Sequence, residues 1–273
     1  MASRASLAIL TIFLAAMSVT QAGCRTVRNG TSHLPRQAFI FIHNQIVFQA
    51  CLSDDDDDCT TIGQGLYTGS GFLVASNGVH SWGITAGHLC VQEPPAGAVM
   101  TDPETGRTAT PKIRSKMRVI WMGGQWIDAV VEEVHPNLDL CVLRLENVRA
   151  EQVVEVASSP PQQGDRVYVL SAPLGTFDDR GMLLTFEGYY SGSTSDIPPP
   201  MGGRPMTFDA YTVPSTGGSS GSPIMNAAGE LVGVTSVALR NFENMCLSPS
   251  YVGVTAVVRA VQERAYSRPG DDG

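Results

Sequence analysis

The sequence predicts an all-β protein: two tandem six-stranded antiparallel β-barrels followed by a C-terminal helix. Three observations carry this. The composition, with 28 Gly and 17 Pro in 273 residues, favours many short strands and turns over long helices. Apolar and β-branched runs recur along the chain with short gaps, several alternating apolar with polar as half-buried strands do. A break rich in Ser, Pro, Gln and Gly at "ASSPPQQGD" (157–165) divides these runs into two equal sets.

The first set comprises "AFIFIHNQIVFQ" (38–49), "GLYTGSGFLVA" (65–75), "SWGITA" (81–86), "MRVIWM" (117–122), "WIDAVVEEV" (126–134) and "LDLCVLRLE" (138–146). The second comprises "RVYVLSA" (166–172), "MLLTFEGYYSG" (182–192), "MTFDAYTV" (206–213), "SPIMN" (222–226), "GELVGVTSVAL" (229–239) and "YVGVTAVV" (251–258). "AVVRAVQERAYS" at the end reads as a helix, and "SGSTSDIPPPMGGRP" (191–205) as a long surface loop beside the cleft between the barrels. The expected boundaries are 1–23 for an export signal, 24–156 for the first barrel, and 157–273 for the second barrel with its helix.

The signal is read from Arg4, the apolar run "ASLAILTIFLAAMSV", and the small-residue site "TQA" before Gly23. The run is about fifteen residues, short of the roughly twenty that span a bilayer. "QAGC" also resembles a bacterial lipoprotein box, which would make Cys24 a lipidated membrane attachment; Gln21 stands where that box prefers Leu. The expected location is therefore secreted or periplasmic. Export permits disulfides. Among six cysteines, Cys51 and Cys59 close a short loop and are the leading pair. The five aspartates between them lack the spacing of a calcium loop and read as a solvated acidic loop. A net charge of −8 with two lysines, Lys112 and Lys116, argues against a nucleic-acid partner.

The chemistry concentrates in "TVPSTGGSSGSPIMNAAGELVGV" (212–234), which holds Ser215, Ser219, Ser220 and Ser222 in a Gly-rich turn. A serine hydroxyl becomes a nucleophile only when a base takes its proton and a third group orients the base. All five histidines (His33, His43, His80, His88, His135) precede this turn. Gly217-x-Ser219-x-Gly221 matches the esterase elbow formally. That elbow needs a helix after it and a histidine downstream, and Pro223 with no later histidine rules it out.

Read instead as G-x-S-G-x-P from Gly218 to Pro223, the turn resembles the nucleophile turn of chymotrypsin-like (trypsin-fold) serine proteases. "ITAGHLC" around His88 resembles the family's strand-end histidine signature, and "HPNLDLCVL" resembles its aspartate before an apolar strand. The order His, Asp, Ser is met with gaps of 51 and 81 residues. "GDRVYVLSAPLG" (164–175) resembles the start of the second barrel in the HtrA-like branch. No PDZ-like segment follows residue 265, so that likeness stops at the protease domain.

The resemblance implies an exported serine endopeptidase acting on protein or peptide substrates through an acyl-enzyme, with no cofactor and no metal. Ser220 would attack, His88 would move the proton, and Asp139 would orient the imidazole. The amides of Gly218 and Ser220 would form the oxyanion hole. The specificity pocket would take Pro214 as its floor and Ser215, Thr235, Ser236, Val237, Ala238 and Gly253 as its walls. No carboxylate stands among them, so an uncharged, small to medium side chain is expected there. Ser219 replaces the Asp of trypsin-type members that captures a freed N-terminus, so a preformed site is expected. Cys90 and Cys141, each two residues beyond a triad member, could bridge. His135 reads as structural, and His33, His43 and His80 stand in no such pattern. Two rival readings remain: a catalytically inactive trypsin-fold binding protein, separated by a fluorophosphonate probe, and an acyl ester hydrolase, disfavoured by the missing downstream histidine.

Overall fold

In a computed structural model of the chain, residues 33–51, 59–90, 98–101, 106, 108–121, 124–177, 183–239 and 244–267 are described. The export signal, Cys24 and the aspartate run lie outside them.

Strands β1 (Phe39–Cys51), β2 (Cys59–Ser76), β3 (Ser81–Ala86), β4 (Met100–Thr101), β5 (Thr108–Trp121), β6 (Ile127–His135) and β7 (Leu140–Leu145) make the first sheet. Its order is β1-β2-β3-β7-β6-β5-β4, and an added β1–β5 pairing closes six of the strands into a ring. Closure leaves those six strands without a free edge. β1 shows why both of its faces are apolar at the start. Phe39, Ile40, Phe41 and Ile42 are all buried, because one face fills the ring and Phe177 packs against Phe39 and Phe41 on the other.

Strands β8 (Arg166–Ser171), β9 (Leu184–Ile197), β10 (Met206–Tyr211), β11 (Pro223–Met225), β12 (Leu231–Val234), β13 (Val237–Ala238) and β14 (Cys246–Pro249) make the second sheet, in the order β12-β11-β8-β9-β10-β14-β13. It has its own core around Val167, Val169, Tyr211, Val213, Ile224 and Val232. The result is the all-β, double-barrel architecture the sequence predicts, with a seventh strand in each sheet.

Two segments differ from expectation. The strand expected over 251–258 is the first half of helix α1 (Tyr251–Ser267). Its valines suggest a strand by propensity, but buried Val254, Val257, Val258, Val261 and Ala265 recur at helical spacing. The Ser250 hydroxyl accepts from the Gly253 amide, and the Asp209 carboxylate accepts from the Tyr251 amide at 2.6 Å, so the helix start is capped. Each valine that α1 buries contributes about 1.5–3 kcal/mol. The long loop expected over 191–205 is also partly strand. β9 continues to Ile197, paired with β10, and register shifts absorb the irregularity. The turn of 198–205 then reaches the first sheet, where a Cβ on Gly87 would stand 2.7 Å from the Met201 sulfur.

Both disulfides named from the sequence are present: Cys51–Cys59 ties the far end of the β1–β2 ribbon, and Cys90–Cys141 links the segments after His88 and Asp139. Cys246 is a buried free thiol.

Candidate active site

His88 sits on a single 3-10 turn, Gly87–Leu89, immediately after β3. Asp139 follows a second such turn, Pro136–Leu138, in a left-handed conformation with φ 48° and ψ 45°. Aspartate tolerates that region better than most side chains, at a cost the surroundings must offset. They do so through hydrogen bonds. The Gly87 amide donates to the Asp139 carbonyl at 2.8 Å. The fully buried Asp139 carboxylate accepts from the His88 amide at 2.7 Å, from His88 Nδ1 at 2.9 Å, and from the Ser236 hydroxyl. A buried carboxylate needs such partners, because a lone charge there would be costly. His88 Nε2 faces the Ser220 hydroxyl oxygen at 3.0 Å. One continuous chain of hydrogen bonds thus runs Ser236–Asp139–His88–Ser220, with contributions from both sheets.

The turn that carries Ser220 is pinned on both sides. The Ser70 amide on β2 donates to the Ser220 carbonyl, and the Gly221 amide donates to the Thr235 carbonyl. The Ser70 hydroxyl donates to the Gly218 carbonyl at 2.9 Å and accepts from the Ala172 amide. Glycine is required at two positions. Gly218 has φ +89°, and a Cβ there would stand 2.6 Å from the Ala172 carbonyl oxygen; Gly221 has φ +84°, with 2.1 Å to the Ser70 oxygen.

The turn's amides divide into two groups. Those of Ser219, Gly221 and Ser222 donate to backbone carbonyls, whereas among the described residues those of Gly218 and Ser220 donate to none. Carbonyl and N–H point in opposite directions across a trans peptide. The Gly217 carbonyl accepts from the Leu174 amide, and the Ser219 carbonyl accepts from the Ser222 amide. Those anchors aim the Gly218 and Ser220 N–H groups away from the packed side. Two unspent donors beside a hydroxyl suit a developing oxyanion.

A cavity of about 600 Å³ adjoins the turn, lined by Pro173, Phe186, Pro214, Ser215, Ala238 and Leu239 among others. Pro214, Ser215 and Ala238 are where the sequence reading sought a pocket. Thr235 is buried and braces the turn through its backbone, and Ser236 turns to Asp139; neither lines the cavity. Val237 forms β13 with Ala238. Gly253 lies on α1, where a Cβ would come within 2.7 Å of the Leu138 side chain. Its place in a pocket wall does not survive the helix: it gives room to the turn that precedes Asp139. Sequence reasoning missed the carboxylate-holding role of Ser236 and the presence of Phe186. The first was visible only as a polar residue inside an apolar strand run. Elsewhere, His135 pairs with Glu133, His80 accepts from the Asn147 amide, and His43 stacks on Trp126.

No curated protein matches the sequence at a significant level. Among the solved structures that share the fold are two of one protease. One is the Rv3671c protease from M. tuberculosis in its active form, 17% identical with a TM-score of 0.54, covering 88% of this chain and 85% of that one. The other is a serine-to-alanine mutant of Rv3671c in its inactive form, 17% identical with a TM-score of 0.53, covering 86% and 93%. The sequence itself matches the trypsin-like peptidase domain over residues 69–234, more than half of the chain and a span containing His88, Asp139 and Ser220, and the chain belongs to that family.

Proposed function

We propose that the chain is an exported serine endopeptidase in which Ser220, His88 and Asp139 form the catalytic triad. The observation that carries the reading is the unbroken hydrogen-bond chain from Asp139 through His88 to Ser220, with distances of 2.9 and 3.0 Å. Ser220 attacks the scissile carbonyl as His88 Nε2 takes its proton. The oxyanion gathers on the Gly218 and Ser220 amides, and His88 then passes the proton to the leaving amine. Water repeats the sequence on the acyl-enzyme, and Asp139 holds the imidazole tautomer and stabilises its cation throughout. Each oxyanion donor contributes about 3–4 kcal/mol in enzymes of this kind.

The cavity beside Ser220 is the binding pocket for the residue before the scissile bond. Among the described residues its lining includes no carboxylate, and an unpaired substrate cation there would be costly, so the pocket takes an uncharged side chain. Phe186, Pro173 and Leu239 favour an apolar one, and a volume of about 600 Å³ admits sizes beyond small to medium. Export is supported by the sequence of residues 1–23 and by the two disulfides, a chemistry that persists in oxidising compartments. Digestion of a peptide library tests the reading. Cleavage after uncharged residues, lost in Ser220→Ala, is expected; dominant cleavage after Arg or Lys would contradict the pocket, and equal cleavage by Ser220→Ala would contradict the nucleophile.

A further inference from the structure

The nucleophile turn has a second flank. Its pocket side is built largely from the second sheet, while its other side rests on β2 through Ser70. Ser70 pairs with Phe41 across β1, and Thr68 pairs with His43. Because directly paired residues share a face, Phe41 and His43 lie on the face that carries the Ser70 hydroxyl to Gly218. That face is an aromatic strip. Phe177 stacks on Phe41 with centroids 5.3 Å apart, and Trp126 lies 6.1 Å from Phe41 and 5.1 Å from the His43 ring. The Arg118 guanidinium stands 5.4 Å from the Trp126 ring centre.

The strip is continuous with the oxyanion turn. A Cβ on Gly175 would lie 3.9 Å from the Phe41 ring and 3.6 Å from Thr68, while a Cβ on Gly218 would lie 3.0 Å from the Gly175 amide. Leu174, whose amide anchors the Gly217 carbonyl, is 78% exposed, and Trp126 is 39% exposed. What sets Leu174 and Trp126 apart from the other exposed apolar side chains is that Phe41 and Gly175 join them into one apolar surface reaching the nucleophile turn, and a contiguous patch of that kind marks a binding surface.

We propose that Leu174, Phe41, Phe177 and Trp126 form a subsite for the leaving segment of the substrate, taking a large apolar or aromatic side chain one to three residues beyond the scissile bond. This rests on the peptidase reading above. During acyl transfer the residue before the bond occupies the second-sheet pocket, and the leaving amine must lie against His88 Nε2. The first sheet supplies His88, so the leaving segment continues over that sheet, where the strip begins beneath Gly218. Trp126 is partly exposed and offers aromatic packing, with buried Phe41 behind it. Burial and the neighbouring Arg118 lower the His43 imidazole from its ordinary range.

The test uses internally quenched peptides that share one sequence up to the scissile bond. They carry Phe, Leu or Gly at the second position after it. The full chain is expected to cleave the Phe peptide with a kcat/KM roughly tenfold or more above that of the Gly peptide. Trp126→Ala and Leu174→Ser should each bring this ratio to within about twofold of one. Tyr266→Ala, on the last turn of α1, is the control and should retain the wild-type ratio. A wild-type ratio near one, or variants that keep the wild-type ratio, would overturn the subsite. Labelling by a fluorophosphonate, which carries no leaving-side residues, keeps the two readings apart. A chain that labels at Ser220 yet shows no preference loses the subsite alone; a chain that neither labels nor cleaves loses both.

Discussion

Ser220 and its serine neighbours differ in what holds them. Ser219 is buried, and its hydroxyl accepts from the Thr216 amide at 3.3 Å. Ser222 is buried, with its amide on the Ser219 carbonyl and its own carbonyl on the Thr235 amide. Of the three, only Ser220 faces a base. Ser220→Ala is therefore expected to lower kcat/KM by about 10³-fold or more, while Ser219→Ala and Ser222→Ala remain within about tenfold of wild type; steady-state kinetics on one peptide ranks the three. In the proposed mechanism Ser236 acts through Asp139, to which its hydroxyl donates, as a positioning residue. Ser236→Ala removes one hydrogen bond to a buried charge, worth about 1.5–3 kcal/mol, so kcat should fall roughly ten- to hundredfold with KM little changed. A change confined to KM would instead place Ser236 in substrate binding. That His88, Asp139 and Ser220 meet was legible in the sequence because each stands in a short turn motif, in a set order. Ser236 was not, because a residue in the short link between β12 and β13 shows its partner only once the two sheets are packed.

At the scale of elements, two short turns hold His88 and Asp139, and the Cys90–Cys141 disulfide ties the chain just beyond each. Closing a loop of 51 residues removes unfolded-state entropy worth about 4 kcal/mol. The Cys90→Ala, Cys141→Ala double variant should therefore unfold at lower denaturant concentration and lose activity before it loses bulk β-structure. Coincident loss of both by circular dichroism and peptidase assay would show that the bridge stabilises the fold without tuning the site. Strand positions such as 81–86 and 166–171 were legible because their alternation and flanking turns agree. Residues 251–258 were not, since valine and threonine content pointed to strand. The helix wins through its cap at Ser250 and Asp209 and through a valine stripe completed only by Val261 and Ala265. β9 was cut short by Ser and Gly that pair across to β10 once a bulge accommodates them.

At the scale of the whole molecule, the second sheet's core carries acids that hold their protons more tightly when folded. Burial pushes the Cys246 thiol from 9.0 up to about 12. Burial and nearby Asp209 raise the Tyr211 phenol well above its ordinary range, and burial raises Tyr190 less. For each, the folded form binds the proton more strongly, so stability is undiminished below the unfolded-state range and falls as pH rises through it toward the folded value. The melting temperature should thus decline steadily between about pH 9 and 12, and Cys246→Ala should make that decline shallower; a melting temperature flat to pH 11 would contradict the sign. The two-barrel plan was legible from composition and the 157–165 break. The size of the pocket was not, because Phe186 enters it from β9, a strand with no motif to announce it.

The most direct test of the central claim, that Ser220 is a nucleophile activated by His88 and Asp139, is to react the folded chain with a fluorophosphonate and locate the adduct by peptide mass spectrometry. The expected result is a single adduct on Ser220 that forms in the wild type and is absent from His88→Ala and from Ser220→Ala. An adduct on Ser219 or Ser222, or a folded wild-type chain that takes up no probe at all, would contradict it.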